Sequence, residues 1–159
     1  MNTHELLQRV RQIIHDSTGG RGIGILTTVS KNHRPHATWM GTLASPSLDR
    51  LVTMTSPDSR KVQNILENPN VEWLFTNSTM TELVYLCGKG KVLKDMECIK
   101  TAWNQMPDKS RAYFLSHENV GITFLIIETQ VESIEYRLPQ EDREHRLGPK
   151  EIAKVVAAR

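Results

Sequence analysis

Apolar residues return every three or four positions over residues 3–17. Leu6, Val10, Ile13 and Ile14, with Leu7 beside them, share one side, while Gln8, Arg9, Arg11 and Gln12 take the other. That spacing predicts an amphipathic helix. Asn2 with Glu5 three residues later is a start signal, and Gly19-Gly20 is the stop. One such helix cannot bury its stripe alone, so the remainder of the chain must supply a partner surface.

That remainder reads as a sheet. Residues 23–29 are β-rich, 30–35 are turn-like, and 36–43 form a second strand. A loop over 44–50, with Pro46 and Asp49, leads to a strand over 51–55. A short helix over 57–67 stops at Asn68-Pro69-Asn70. Strands follow at 71–76 and 82–93, the second holding Gly88 and Gly90, which predict a bulge or a close backbone approach. Residues 95–106 read as a helix with Met96, Ile99, Ala102 and Trp103 on one side, halted by Pro107. Residues 121–128 and 131–136 read as one interrupted strand or two short ones, 139–146 as a charged surface loop, and Gly148-Pro149 opens a terminal helix. The sum is about six or seven strands, mostly antiparallel, with flanking helices. Strands and helices do not alternate one for one, which disfavours a doubly wound sheet.

Composition narrows the class. The chain has 159 residues, of which 38% are hydrophobic and 24% charged, the balance of one globular domain over 1–159. Its formal charge of +2 implies that any basic site is local. Cys87 and Cys98 form no CxxC or Cys/His cluster, which argues against a zinc site and a disulfide framework. Cys87, in an apolar run, is expected to be a small buried hydrophobe. The polar N-terminus lacks the pattern of a signal peptide, and no apolar run approaches the ~20 residues that span a bilayer. A cytoplasmic location is the expectation.

The candidate chemistry lies in Thr55-Ser56-Pro57-Asp58-Ser59-Arg60-Lys61, which follows a strand and opens a helix. Ser56 suits an N-cap and Pro57 the first helical position. Arg60 and Lys61 then sit in or just beyond the first turn, where the helix dipole disfavours each cation by a few tenths to roughly 1 kcal/mol. A bound phosphate would reverse that sign, taking helix-start N–H groups, the hydroxyls of Thr55 and Ser59, the forked Arg60 and the mobile Lys61. The segment alone is equally readable as a helix start with two solvated cations. No GxxxxGK[ST] occurs, so a nucleotide triphosphatase is not indicated.

Three stretches of the chain, TVSKNHRPHATWM, LDRLVTMTSPDSRKVQNILENPNVEWLF and LVYLCGKGKV, together resemble the pyridoxamine 5′-phosphate oxidase-like FMN-binding split-barrel superfamily, and within it the general-stress-protein branch. The Ser59-Arg60-Lys61 triplet with its downstream Asn-Pro-x-Val stop is the most specific part. The resemblance implies an antiparallel split β-barrel, FMN as cofactor and a homodimer with the flavin at the subunit interface. It implies Ser59, Arg60 and Lys61 as phosphate ligands, and Met54 and Thr55 as the strand end bordering the ribityl chain and phosphate. Thr38, Trp39 and Met40 would be the strand against which the ring edge rests, largely through backbone groups. Departures accompany it: Thr38 stands where the oxidases carry arginine and Leu83 where they carry glutamine. A charged loop and short helix replace their C-terminal Trp and Arg. The resemblance implies FMN binding, while these departures put oxidation of pyridoxamine 5′-phosphate in doubt.

The other residues offer less. His4, His15, His33, His36, His117 and His145 show no metal-ligand spacing. His36 lies on the strand expected to border the flavin and His117-Glu118 could form an acid/base pair, but surface positions are the simpler expectation for both. Trp73 and Trp103 are expected to pack, and Trp39 to approach the ring. The basic residues lack the clustering of a nucleic-acid surface. The first reading is an FMN-dependent oxidoreductase with a small-molecule substrate or electron donor. The alternatives are a non-catalytic flavin carrier or stress-response protein, or a split barrel holding haem or a deazaflavin.

Overall fold

The structure is a computed structural model and describes residues 1–20, 22–44, 48–106, 108–109, 111–112 and 124–157. Pro46, Pro107, His117, Glu118 and the start of the strand expected from residue 121 lie outside the described residues. Helix α1 spans Thr3–Gly20. Strands β1 (Ile23–Val29), β2 (Pro35–Gly41), β3 (Leu43–Ala44) and β4 (Arg50–Thr55) precede α2 (Arg60–Glu67). Strands β5 (Asn70–Thr76) and β6 (Leu83–Leu93) then lead to α3 (Met96–Gln105). The chain ends with β7 (Leu125–Leu138), a 3-10 turn (Pro139–Glu141), β8 (Arg143–Leu147) and α4 (Pro149–Ala157).

The start of α1 follows the sequence signal: Asn2 N donates to Glu5 Oε2 and Glu5 N to Asn2 Oδ1, each at 2.9 Å, a reciprocal capping box. The helix buries Leu6, Leu7, Val10, Ile13 and Ile14 in one core with Leu26, Trp73, Phe75, Val84, Leu86 and Ile134. Each such side chain contributes roughly 1.5–3 kcal/mol by leaving water. Inward positions alternate with outward ones along β1, β5 and β6. Trp73 packs as expected, fully buried, with Nε1 donating to Thr129 Oγ1 at 3.0 Å.

All pairings are antiparallel, in the order β2-β1-β5-β6-β7-β4-β3, with β8 also on β7. Strand β7 is where the sheet divides. Its residues 125–130 pair with β4 and its residues 134–138 with β8, so two strands share one edge in succession. The opposite edge meets β6 throughout, apart from a register shift at Cys87/Gly88 opposite Val131 and Ser133. A Cβ on Gly88 would lie 2.0 Å from the Gln130 carbonyl oxygen, so the predicted close approach is real. This open, mainly β arrangement with flanking helices is the antiparallel split barrel expected.

Three expectations are corrected. Residues 139–146 are a loop only at their start, a 3-10 turn over Pro139–Glu141; from Arg143 on, β8 pairs with β7 through five register positions. The Arg and Glu side chains that give it a loop-like composition instead pair across the ladder, Arg146 Nε lying 3.1 Å from Glu135 Oε2. Helix α2 starts at Arg60 rather than Pro57, because Ser59 N donates to Ser56 O at 3.2 Å and closes a turn first. Pro57 serves that turn with the same fixed φ that would have suited a helix start. Finally, α3 buries Ile99 and Ala102 against Met54 and Ile126, but Met96 is exposed, leaving the helix with a narrower apolar face than its sequence suggests. Trp103 packs there, its ring stacked on Phe124 with centroids 6.2 Å apart.

Candidate functional site

The split barrel opens where the hydrogen-bonded path ends, at β2 on one side and at β3, beside β4, on the other. Among the described residues no ladder joins β2 to β4, and a side chain spans the gap: Thr53 Oγ1 donates to Gly41 O at 2.6 Å. The start of α2 sits at this opening. Its rotation is set from below by Asn64, whose Nδ2 donates to Thr28 Oγ1 at 3.0 Å, with both residues buried. Thr28 is the cross-strand partner of His36, and Arg60 stands one helical turn before Asn64. The same geometry therefore brings Arg60 to His36, with Nη1 3.5 Å from Nδ1.

With Ser59 as the N-cap, Arg60 and Lys61 are the first two helical residues. They occupy the positive end of the dipole, where cations are least favoured unless an anion joins them. Ser59 N and Val62 N are already engaged, by Ser56 O at 3.2 Å and Ser59 O at 3.1 Å, so side chains supply most of the donors at this helix start. Lys61 Nζ donates to Thr55 Oγ1 at 3.0 Å, and Thr55 Oγ1 to Ser59 Oγ at 3.3 Å. Thr38 Oγ1 lies 3.0 Å from His36 Nε2. Partial burial and then the charges of Arg60 and Lys61 hold the His36 imidazole below its ordinary pKa. Two cations, an imidazole and three hydroxyls thus converge on one helix start, a donor set suited to a phosphate ester dianion.

The structure divides the sequence candidates. Thr55, Ser59, Arg60 and Lys61 come together, and Thr38 joins them through His36. Met54 does not: its side chain is buried with Ile99, Ala102 and Ile126 under α3. Along β2 the strand alternation sends Met40 toward the main core while Trp39 is 55% exposed on the opposite face. A ligand resting along all of Thr38, Trp39 and Met40 would have to meet backbone. His36 is the residue that reading by local composition underrates; its signal is the two-residue period that places it on the face of Thr38. Asn64 carries no sequence signal, since its role depends on a contact 36 positions away.

Cys87 is only half-buried, correcting the expectation of a core position. Its Sγ donates to Glu72 Oε2 at 3.1 Å, and burial, then Glu72, pushes the thiol up to about 11. It lines a hollow of 490 Å³ on the outer sheet face with Tyr85, Ser133, Arg137 and Arg146, away from the Arg60 cluster. Both arginines there share Glu135 and Glu144 as ion-pair partners, two carboxylates for two cations. Among the described residues no three His, Cys, Asp or Glu side chains are placed to hold a metal ion, and no helix is long and apolar enough to cross a membrane.

The family model described as pyridoxamine 5′-phosphate oxidase matches residues 6–138. No curated protein matches the chain. Among solved structures, general stress protein 26 from Bacillus anthracis str. Sterne is similar at 24% identity and TM-score 0.67, over 90% of this chain and 99% of its own. A pyridoxamine 5′-phosphate oxidase-related, FMN binding protein from Nostoc punctiforme is 16% identical with TM-score 0.62, over 90% and 85% of the two chains. A heme binding protein from Mycobacterium smegmatis is 15% identical with TM-score 0.68, over 93% and 60%. At these identities the likenesses speak for the fold.

Proposed function

The chain belongs to the pyridoxamine 5′-phosphate oxidase family, and from that membership we propose that it is an FMN-binding oxidoreductase whose cofactor is held by its phosphate at the start of α2. The observation that carries the reading is the convergence of Arg60, Lys61, Thr55 and Ser59 on that first turn. FMN would supply hydride or electron transfer. The protein's part is to bind and orient: Arg60 and Lys61 neutralise the phosphate, the hydroxyls fix its rotation, and the outer edge of β2, the end of the strand path, offers backbone groups to the ring edge. Met54 contributes backbone only.

The reading extends to a homodimer. Cross-strand register aligns Trp39, Ile25, Leu74 and Tyr85 in one row over β2, β1, β5 and β6. Trp39 and Ile25 are 55% and 38% exposed. A second copy covering this row would bury apolar surface beside β2 and close the flavin cleft.

The test is the visible spectrum of freshly purified protein, with mass analysis of the chromophore released on denaturation. FMN that is reduced by a nicotinamide donor and reoxidised in steady state supports the proposal. FMN that no donor turns over leaves a flavin carrier. A Soret band with released haem would instead align the protein with its haem-binding neighbour and refute the phosphate site.

A further inference from the structure

We propose that His36 is a protonation-dependent ligand of this site, taking up a proton when a phosphate dianion seats between its ring, Arg60 and Lys61. The inference rests on the FMN reading and adds to it a residue and a pH dependence. Its basis is placement. Arg60 Nη1 lies 3.5 Å from His36 Nδ1, where it can donate to a neutral ring but would repel a charged one. On its other side, Nε2 is 3.0 Å from Thr38 Oγ1, a hydroxyl that can accept from Nε2–H whether the ring is neutral or charged. The ring can therefore exist in either state without losing that partner.

The surroundings set which state prevails. The charged groups acting on His36 are Arg60 and Lys61 of α2, both positive. From β1 the cross-strand neighbour is Thr28, already engaged by Asn64, and among the described residues no carboxylate is a cause of the His36 shift. In the free protein, burial and the two cations disfavour the protonated ring. A phosphate brings two negative charges into the same space, compensates both cations and reverses the local field. The imidazole then gains a proton and a charge-assisted hydrogen bond to the ligand. Binding and proton uptake are coupled, so affinity must fall as pH rises past the bound-state titration of His36.

Titration calorimetry of FMN at pH 7.5, in buffers of different ionisation enthalpy, reads the proton directly. At that pH the free FMN phosphate is already mostly dianionic, so any ligand titration on binding would release protons rather than take them up. The expected result is net uptake by the wild type. His36→Gln should bind without uptake, with FMN affinity about three- to tenfold weaker at pH 7. His36→Lys should keep the affinity, without uptake, into alkaline pH. Riboflavin, lacking the phosphate, should bind without uptake in all three proteins. FMN binding by the wild type with no uptake, or with uptake that persists in His36→Gln, overturns the role of His36 alone. No FMN binding at all overturns the underlying reading and this inference with it.

Discussion

Tyr136 Oη donates to Glu82 Oε1 at 2.5 Å, joining the β7 strand to the residue just before β6. Arg9 of α1 pairs with both oxygens of the same carboxylate, and Asn77 Nδ2 donates to Oε2 at 3.0 Å. One carboxylate thus ties the N-terminal helix to the sheet. The Arg9 hydrogen bond holds Glu82 below the usual carboxylate range, while burial and then Glu82 push the Tyr136 phenol up to about 12.

The sign of each shift defines a pH window. Glu82, depressed in the folded state, stabilises fully above the usual carboxylate range and loses that contribution as pH falls through its own lower value. Tyr136, raised from an ordinary 10.0, stabilises fully below pH 10.0 and loses it as pH rises to about 12. Glu82→Gln should cost about 1–3 kcal/mol at pH 7 and flatten the acid limb, the lower end reflecting the water around Arg9. Urea unfolding of both proteins at a series of pH values checks this; parallel acid limbs would contradict it.

Arg60→Ala should weaken FMN binding by about 1–3 kcal/mol, the loss of a charge-assisted phosphate contact, and leave riboflavin binding nearly unchanged. Flavin fluorescence quenching measures both. Equal losses for the two ligands would move Arg60 away from the phosphate.

Asn64→Ala removes the buried partner of Thr28 Oγ1 and should cost about 1–2 kcal/mol in denaturant unfolding. Because Asn64 sets the rotation of α2, FMN affinity should fall as well, although the side chain faces Thr28 rather than the ligand. Wild-type affinity in a folded Asn64→Ala protein would show that the helix start is positioned by other contacts.

In a Cys98→Ser background, Cys87 should react slowly with iodoacetamide at neutral pH, the rate climbing only toward pH 11, because a thiol donating to Glu72 stays protonated. Glu72→Gln should shift the rate profile to lower pH.

A methyl at Gly88 would strike the Gln130 carbonyl at 2.0 Å, whereas one at Gly41 would meet nothing within 4 Å. Gly88→Ala should therefore destabilise by more than about 3 kcal/mol or fail to fold, and Gly41→Ala should stay within about 1 kcal/mol. Thermal unfolding of the pair is the comparison.

Much of this protein is determined locally and so was legible in the sequence. The capping box of Asn2 and Glu5, the two-residue alternation of β1 and β5, and the glycine at the β6 bulge each act over a few neighbouring residues. So does the gathering of Ser59, Arg60 and Lys61 at a helix start. Other features exist only once distant segments meet. Strand β8 is a charged stretch until β7 offers it a ladder and countercharges. The true start of α2 was settled by a competing turn at Ser56. His36 and Asn64 acquire their places from one cross-strand pairing and one buried hydrogen bond, and Glu82 draws its partners from α1, the 77–82 turn and β7. Propensity and pattern record what a residue does to its own segment; which groups a site brings within hydrogen-bonding reach is set by packing, and packing is a property of the whole chain.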